Sequence, residues 1–376
     1  MFTTEEIFEP FGCAAREGAI GSNHGSNLCE GPDGEIIAVW YGGTGEKHED
    51  VQIWMSKKFP GEKWKKPWVT EKEGITSKMP EEMEEFENKT GDPLKGNSSE
   101  GNPVIYFEKE QNRLHLWWIT IYGFGEQRGW STGFTKYKHS DDLGKTWLLK
   151  DDGSPRLLHD FWGQMIKNKP IKLSNGEILL PAMAEWTAYA PIYYKCSPDE
   201  FKKGCLESQW KKVTPTATGC FQPTLIEQEP GKILSLMRAA KGSMFFPKAA
   251  QMESNDFGES WTDPKVNEFG FYNCNANADM VKLQNGHVVY IFNDSPEIRN
   301  PLTAALSEDG GKTWPFKKNI VHTPSEPGSR FAYPAVIQSS DGLIHVTYSN
   351  TNRKGNEKVT DNIKWACFSE DWIKQE

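Results

Sequence analysis

Polar and aromatic side chains stand at the ends of short hairpin segments that recur along this chain. Amides, cations and aromatic rings together suit a sugar, because a sugar offers hydroxyl groups for hydrogen bonds and C–H faces for stacking. If the hairpins form a ring, these residues converge at one mouth of its channel. The hairpins are opened by His24, Asn102, Gln222, Asn277, Arg330 and Tyr333, and they are followed by Trp40, Glu185 and Arg238. For any single residue, a role in capping a strand end stays open.

The hairpins themselves are predicted from tight turns between apolar, β-forming runs. Asn-Gly and Asp-Gly between two such runs are the strongest short hairpin signal. One flank reads Ile36-Ile37-Ala38-Val39-Trp40, which is rich in strand formers. The six turns are Asp33-Gly34, Gln111-Asn112, Asn175-Gly176, Pro230-Gly231, Asn285-Gly286 and Asp341-Gly342.

A second repeat, S-x-D-x-G-x-[ST]-W, occurs at Ser140–Trp147, Ser254–Trp261 and Ser307–Trp314. In such a turn the Asp accepts backbone N–H bonds and the Gly takes a dihedral that other residues avoid. The Trp buries its ring beneath the hairpin. Degraded copies end at Trp64, Trp210 and Trp372.

Each of the six hairpins is followed, at similar spacing, by one of these tryptophans, which indicates a repeat architecture. We therefore predict an all-β chain that forms a six-bladed β-propeller of four-stranded blades. The repeated turns that contain Asp and end in Trp are called Asp-box turns below. The propeller is expected to be a single domain over residues 1–376, with an acidic, helix-compatible insertion at about 71–100. The N-terminal twenty residues or the C-terminal end should supply the outer strand that closes the ring.

Composition narrows the class of partner. The formal net charge of -9 argues against a general nucleic-acid or anionic-membrane binder. The seven Cys residues show neither a CxxC pair nor zinc spacing, so we expect no metal and no cofactor. The N-terminal residues lack the pattern of a signal peptide, and no apolar run reaches transmembrane length, so a cytoplasmic location is expected. A secreted form and the oligomeric state stay open.

The triple S-x-D-x-G-x-[ST]-W repeat resembles the Asp-box, or BNR repeat, of the sialidase-like (neuraminidase) β-propellers. That family binds its substrate's carboxylate with three arginines, and the resemblance implies Arg238 and Arg299 as the second and third. His24 stands at the first position. The resemblance further implies that Tyr333, in Y-P-A-V-I-Q-S-S-D-G, is the nucleophile and that Asp50 is the acid/base residue. The remaining expected substrate-binding residues are Trp40, Asn102, Asn277 and Arg330.

One position departs from the family's pattern. The Glu that deprotonates the nucleophilic tyrosine should open the fourth hairpin, where this chain has Gln222. A free tyrosine is ionised at roughly one part in a thousand at pH 7, so a nucleophilic tyrosine needs a neighbouring base, and an amide cannot serve. Glu185 is an alternative base. Otherwise Tyr333 would act as an acid or a base rather than as a nucleophile.

Three functions stay open. The first is a glycoside hydrolase that resembles exo-sialidases and cleaves a terminal, anionic sugar. The second is a polysaccharide lyase acting on a uronate, in which His24, Gln222, Arg238 and Tyr333 would neutralise the carboxylate and move the proton. The third is a non-catalytic glycan-binding propeller, since a fold alone does not determine function. In all three the partner is a carbohydrate, and in both enzyme hypotheses it carries a carboxylate.

Overall fold

The structure is a computed structural model of the whole chain. It describes residues 1–8, 21–48, 50–70, 98–122, 129–148, 156–157, 163–185, 188–203, 210–326, 328–355 and 357–375. The expected insertion at about 71–100 lies, for residues 71–97, outside the described residues.

Six antiparallel sheets follow one another along the chain and confirm the predicted six-bladed propeller. Blades 1 and 2 contain β2 (Ser22–Glu30), β3 (Ile36–Gly43), β4 (Gln52–Lys58), β5 (Trp68–Val69), β6 (Ser98–Glu108), β7 (Arg113–Tyr122), β8 (Gly133–Ser140) and β9 (Arg156–Leu157). Blades 3 and 4 contain β10 (Gln164–Ile166), β11 (Ile171–Lys172), β12 (Ile178–Ala184), β13 (Ala190–Cys196), β14 (Lys211–Val213), β15 (Cys220–Glu229), β16 (Lys232–Ala239), β17 (Ala250–Ser254) and β18 (Lys265–Val266). Blade 5 contains β19 (Asp279–Lys282), β20 (Val288–Phe292), β21 (Leu302–Ser307) and β22 (Phe316–Val321).

The N-terminus closes the ring, which is one of the two alternatives that the sequence left open. Blade 6 contains β23 (Arg330–Gln338), β24 (Ile344–Lys354), β25 (Glu357–Phe368) and, as its outer strand, β1 (Phe2–Glu6). Strand β1 pairs with β25 in a register that sets Phe2 opposite Phe368. Because the two ends of the chain share one blade, the first and last blades are held side by side.

Apolar contacts between neighbouring blades form the core. Val289 and Ile291 of blade 5 pack with Val336 and Val346 of blade 6 in one buried cluster. Similar clusters join blades 1 and 2, 2 and 3, 3 and 4, and 4 and 5, and Trp40 of blade 1 packs with Trp365 of blade 6. Each blade therefore buries both of its faces, as a closed ring requires.

The Asp-box turns have the hydrogen bonds that their sequence predicts. In the copy at Ser307, the Asp309 carboxylate accepts the backbone N–H groups of Lys312 and Thr313 and the Thr313 hydroxyl. The Ser307 hydroxyl donates to Asp309 and accepts the N–H of Gly311. The copies at Ser140 and Ser254 repeat this pattern. Each turn is thus tied by its own side chains.

Helix is confined to short pieces within the described residues. These are α1 (Pro198–Lys202), α2 (Glu370–Lys374) and a 3-10 turn at Trp130–Thr132. None of the helices among the described residues has the length and apolar character needed to cross a membrane.

Candidate active site

The inner strands of four blades share a backbone irregularity at the same mouth of the channel. The register shifts between His24 and Asn27 in β2, Gly101 and Val104 in β6, Phe221 and Thr224 in β15, and Ala332 and Ala335 in β23. Within each shift one residue has a positive φ. These residues are Gly25 (φ 65), Asn102 (φ 40), Gln222 (φ 52) and Tyr333 (φ 54). Three of the four were predicted site residues, and strained backbone of this kind gathers at functional sites.

At blade 1 the bulge requires glycine. A Cβ atom on Gly25 would lie 2.6 Å from the ring of Tyr41 and 3.2 Å from the Asn102 side-chain oxygen. That oxygen is buried and has no hydrogen-bond partner within the described part of the chain. The close approach of these groups puts the polar end of Asn102 beside the mouth, next to the aromatic ring of Tyr41.

Arg238 connects two of the bulges. Its Nη1 donates to the Tyr333 hydroxyl oxygen at 2.8 Å and to the Gln222 amide oxygen at 3.1 Å. Its Nε donates to the side-chain oxygen of Asn275 at 2.8 Å, and its guanidinium lies 4.5 Å from the ring centroid of Phe221. Charge-assisted bonds and stacking fix the guanidinium plane. The Tyr333 oxygen is therefore held in place by a cation.

Arg299 is the second arginine beside the Tyr333 ring. Its guanidinium carbon is 5.3 Å from the ring centroid, and its Nη2 donates to the backbone carbonyl of Asn275 at 3.1 Å. Asn275 has a positive φ of 61° and contacts both arginines. Asn275 was not among the predicted site residues, although it lies in the N-C-N-A-N run that also contains Asn277.

His24 packs directly against Tyr333. The two ring centroids are 4.2 Å apart, and Tyr41 touches His24 edge-on at 5.8 Å. Burial lowers the pKa of His24 well below its ordinary value, and the cations Arg299, Lys167, Arg238 and Arg330 lower it further. The imidazole is therefore neutral near pH 7.

Glu185, at the end of the third hairpin, has an unusual carboxyl group. Burial raises its pKa to about 7, while Arg238 and Lys47 pull the pKa down and Glu46 pushes it up. Its backbone carbonyl accepts the Ser131 hydroxyl at 2.8 Å, which fixes the end of β12. A carboxyl group with this pKa can exchange protons near neutral pH.

Asn277 lies below the mouth, in the polar centre of the ring. Its amide is fully buried, exchanges hydrogen bonds with the Asn168 amide and donates to the Pro334 carbonyl. Asn168 also donates to the carbonyls of Pro223 and Ala278. Together, the hydrogen bonds of Asn168 and Asn277 join the inner strands of blades 3 to 6. A role for Asn277 in substrate binding stays a prediction.

The other predicted residues have separate positions. The Asp50 carboxylate accepts the Thr44 N–H and hydroxyl within its own loop. Trp40 is buried, stacks on Phe8 and donates its indole N–H to the Asn23 side chain. The structure thus gathers Arg238, Arg299 and His24 around Tyr333, and Gln222 joins this group through Arg238.

Trp130 lies at the rim of the mouth and was not among the predicted site residues. Its ring is 6.0 Å from that of Tyr41, and its indole N–H donates to Glu46 at 3.1 Å. A Cβ atom on Gly101 would meet this ring at 2.5 Å, so the glycine makes room for it. Its position in a glycine-rich segment, G-W-S-T-G, was the available signal.

A pocket of about 170 Å³ opens between blades 6 and 1, beside His24 and Ala332. We call it the seam pocket. Its lining includes Ser22, Asn23, His24, Glu46, Arg299, Arg330, Ala332, Ser349, Thr351, Arg353, Lys358 and Asp361. Arg330 therefore faces the same space as Arg299.

Comparison with known proteins assigns this chain to a family. The family described as "BNR repeat-like domain" matches residues 34–346. A sialidase from Bacteroides fragilis (strain YCH46) is 22% identical over 339 residues. The match covers 84% of this chain and 57% of that protein, so the chain spans little more than half the length of this relative.

Two solved structures share the fold. A Hadza microbial sialidase superposes with a TM-score of 0.71 at 16% identity and covers 98% of this chain and 69% of its own. The intramolecular trans-sialidase from Ruminococcus gnavus, in complex with oseltamivir carboxylate, gives a TM-score of 0.69 at 14% identity, with coverage of 94% and 96%. With its six blades, its Asp-box turns and a family match over most of its length, the chain belongs to the sialidase-like family of BNR repeat-like domains.

Proposed function

We propose that this protein is a sialidase-like glycosidase that cleaves a terminal, anionic sugar. The observation that carries the proposal is the contact set around Tyr333. Its hydroxyl accepts a hydrogen bond from Arg238 at 2.8 Å, and Arg299 lies 5.3 Å from its ring. A hydroxyl able to attack carbon thus belongs to a side chain that lies near two cations able to hold a carboxylate.

In the proposed reaction, Arg238 and Arg299 hold the carboxylate of the sugar. The Tyr333 oxygen attacks the anomeric carbon as the glycosidic C–O bond breaks, and Asp50 protonates the leaving oxygen. Water then attacks the anomeric carbon and gives a proton to Asp50, and Tyr333 leaves as the new C–O bond forms and takes its proton back from the base that received it. In this scheme Thr44, which donates to Asp50, would orient the acid/base residue.

The proton of Tyr333 needs an acceptor other than Gln222. Glu185 is one candidate, because its pKa of about 7 lets it take up a proton at neutral pH and because it interacts electrostatically with Arg238. His24 is the other candidate, because its neutral imidazole packs against the Tyr333 ring. Gln222 would then keep Arg238 aligned on Tyr333, since its amide oxygen accepts from the same Nη1 atom.

A uronate lyase is the second candidate, and the His24–Tyr333 contact favours it. A lyase removes the proton next to the carboxylate, expels the oxygen substituent on the adjacent carbon and leaves a carbon–carbon double bond. A neutral His24 could take the proton, Tyr333 could protonate the leaving oxygen, and Arg238 with Gln222 could neutralise the carboxylate. This mechanism needs no carboxylate at position 222.

Product analysis tests the proposal. The protein is incubated separately with sialyl-lactose and with a uronate-containing polysaccharide, and the products are separated by mass. Release of a free anionic sugar without new ultraviolet absorbance supports the glycosidase. An unsaturated product that absorbs in the ultraviolet overturns it in favour of the lyase. Binding of either carbohydrate without any product would indicate a glycan-binding propeller.

A further inference from the structure

We propose that the seam pocket is a second anion subsite, so that the sugar bound by this protein carries a further negative group besides the carboxylate held at Arg238 and Arg299. The inference rests on the proposed function for the first subsite. It assigns the ligand class as a sugar with two anionic groups, the second being a sulfate ester or another carboxylate.

The charge of the pocket is the first argument. Its lining contains the four cations Arg299, Arg330, Arg353 and Lys358 against the two carboxylates Glu46 and Asp361. Arg299 is shared with the first subsite, so the seam pocket has three cations of its own and an excess of one positive charge, within a chain whose formal net charge is -9. Such a concentration of one sign in a concave space attracts ligands of the opposite sign.

The two carboxylates have partners of their own. Asp361 accepts the ammonium group of Lys358 at 3.0 Å and the backbone N–H of Asn23 at 3.2 Å. Glu46 accepts the indole N–H of Trp130. Lys358 also donates to the Gly21 carbonyl at 3.2 Å, so this cation is fixed to the wall of the pocket. The acids thus hold the walls in place.

Arg330, unlike the pocket residues just described, is available to bind a ligand. Its guanidinium is exposed and has no hydrogen-bond or ion-pair partner within the described part of the chain. It begins strand β23, three residues before Tyr333, so it is positioned by the strand that presents the catalytic hydroxyl. It is also one of the cations that lower the pKa of His24, which places it on the His24 side of the mouth.

Neutral donors complete the subsite. Ser349 accepts the Gly25 N–H at 3.2 Å, which leaves its own hydroxyl hydrogen to donate. Thr351 adds a second hydroxyl to the lining. A guanidinium with hydroxyl groups beside it is the donor set that suits a sulfate or a carboxylate. A volume of about 170 Å³ leaves room for such a group and for part of the sugar that carries it.

Inorganic sulfate is a direct probe, because its binding needs no turnover. The protein is titrated with sulfate against chloride at constant ionic strength by calorimetry, in the wild type, Arg330→Gln, Arg330→Lys and Arg238→Gln. We expect Arg330→Gln to weaken sulfate binding at least tenfold, because a charge-assisted bond is lost. Arg330→Lys should retain part of the affinity, and Arg238→Gln should retain most of it. Lys312→Gln, which removes an exposed cation from the blade 5 Asp-box turn, is the control and should change nothing.

The outcomes separate the two proposals. Equal sulfate affinity in Arg330→Gln and the wild type, with unfolding temperatures that match, would overturn the seam subsite. A loss of sulfate binding only in Arg238→Gln would place the anion at the first subsite and overturn it as well. If sulfate and glucuronate bind together, two subsites exist, whereas mutual exclusion would reduce them to one. A protein without turnover that still binds sulfate through Arg330 contradicts the proposed function but not the subsite.

Discussion

The Asp-box turns and the inner-strand bulges both impose left-handed backbone at defined places, but they do so differently. In the boxes, the same Ser, Asp and Gly make the same bonds three times. At the bulges, four blades share the register shift, yet the positive-φ residue is Gly25, Asn102, Gln222 or Tyr333. The turns that stabilise the blades therefore repeat the same residues and hydrogen bonds. At the mouth of the channel, the backbone irregularity is repeated but the side chain at that position differs from blade to blade.

The two regions differ in which hydrogen bonds hold the left-handed backbone conformation in place. In an Asp-box, the Ser and Asp side chains of the turn itself accept most of its backbone N–H bonds, so the turn depends mainly on local contacts. Tyr333 and Gln222 are held in their conformations by Arg238, which is far from Tyr333 in sequence. The boxes should therefore tolerate changes without loss of activity, whereas conservative side-chain changes at the Gln222 and Tyr333 bulges should alter activity with little effect on folding.

The largest effect is expected from Tyr333→Phe. The change removes only the hydroxyl oxygen, so turnover should fall at least about a hundredfold, as is typical when a reacting or proton-transferring group is lost. The free energy of unfolding should change by only about 1 kcal/mol, the value of one hydrogen bond. Steady-state kinetics and denaturant unfolding on the same preparation measure both quantities.

Tyr106→Phe is the matched control, because Tyr106 belongs to blade 2 and packs against Phe201. It should leave turnover unchanged. Full turnover in Tyr333→Phe would remove Tyr333 from the chemistry and reduce this bulge to a structural feature.

Gln222→Glu should give the next largest effect and separates the two enzyme hypotheses. In the glycosidase, a carboxylate at this position could take the Tyr333 proton, so turnover should rise about tenfold. In the lyase, the new negative charge would repel the substrate carboxylate, so turnover should fall. Initial rates on the substrate found by product analysis, with the unfolding temperature as a check, distinguish the two.

How much the sequence could predict follows from the same contrast. The six turns and three boxes are local patterns of adjacent residues, so the blade count could be predicted, and the closing strand could be narrowed to one of the two ends of the chain. Tyr333, Gln222 and Arg238 could be selected as site candidates because each stands at the end of a hairpin. No local sequence pattern indicates which of these three side chains contact one another.

The contacts depend on closing the ring. Asn275 joins Arg238 to Arg299 only because blades 4 and 5 lie side by side at the mouth. Asn277 has the same residue type and a similar position, yet its amide points to Asn168 at the centre of the ring. A one- or two-residue difference along a strand start therefore decides between the mouth and the core, and sequence alone does not specify it.

A smaller effect is expected from Glu185→Gln, and it depends on pH. If Glu185 accepts the Tyr333 proton, wild-type turnover should rise with pH through about 7, and the variant should lose this limb. The pKa is raised in the folded protein, so burial of the neutral acid favours folding at low pH and that advantage is lost as the pH rises through about 7.

The variant should therefore match the wild type in stability at low pH and exceed it above pH 7. A pH–rate profile and unfolding curves at two pH values test both statements. A variant that keeps the limb would assign the base to another group, with His24 as the next candidate.

The smallest effect is expected from Thr313→Val in the blade 5 Asp-box. The change keeps the shape of the side chain and removes the hydroxyl that donates to Asp309 at 2.6 Å, while the backbone N–H of Thr313 still donates. Loss of one exposed hydrogen bond should cost about 0.5–1 kcal/mol at pH 7 and leave turnover unchanged.

Although partial burial raises the pKa of Asp309, the hydrogen bonds from Thr313 and Ser307 outweigh it and lower the pKa. The bonds therefore stabilise the fold above the ordinary pKa of 3.8 and are lost as the pH falls through the lowered value, so the difference between variant and wild type should shrink in strong acid. A loss of turnover at pH 7 in Thr313→Val would show that the Asp-boxes and the mouth are coupled, which the separate hydrogen bonding of the two regions argues against.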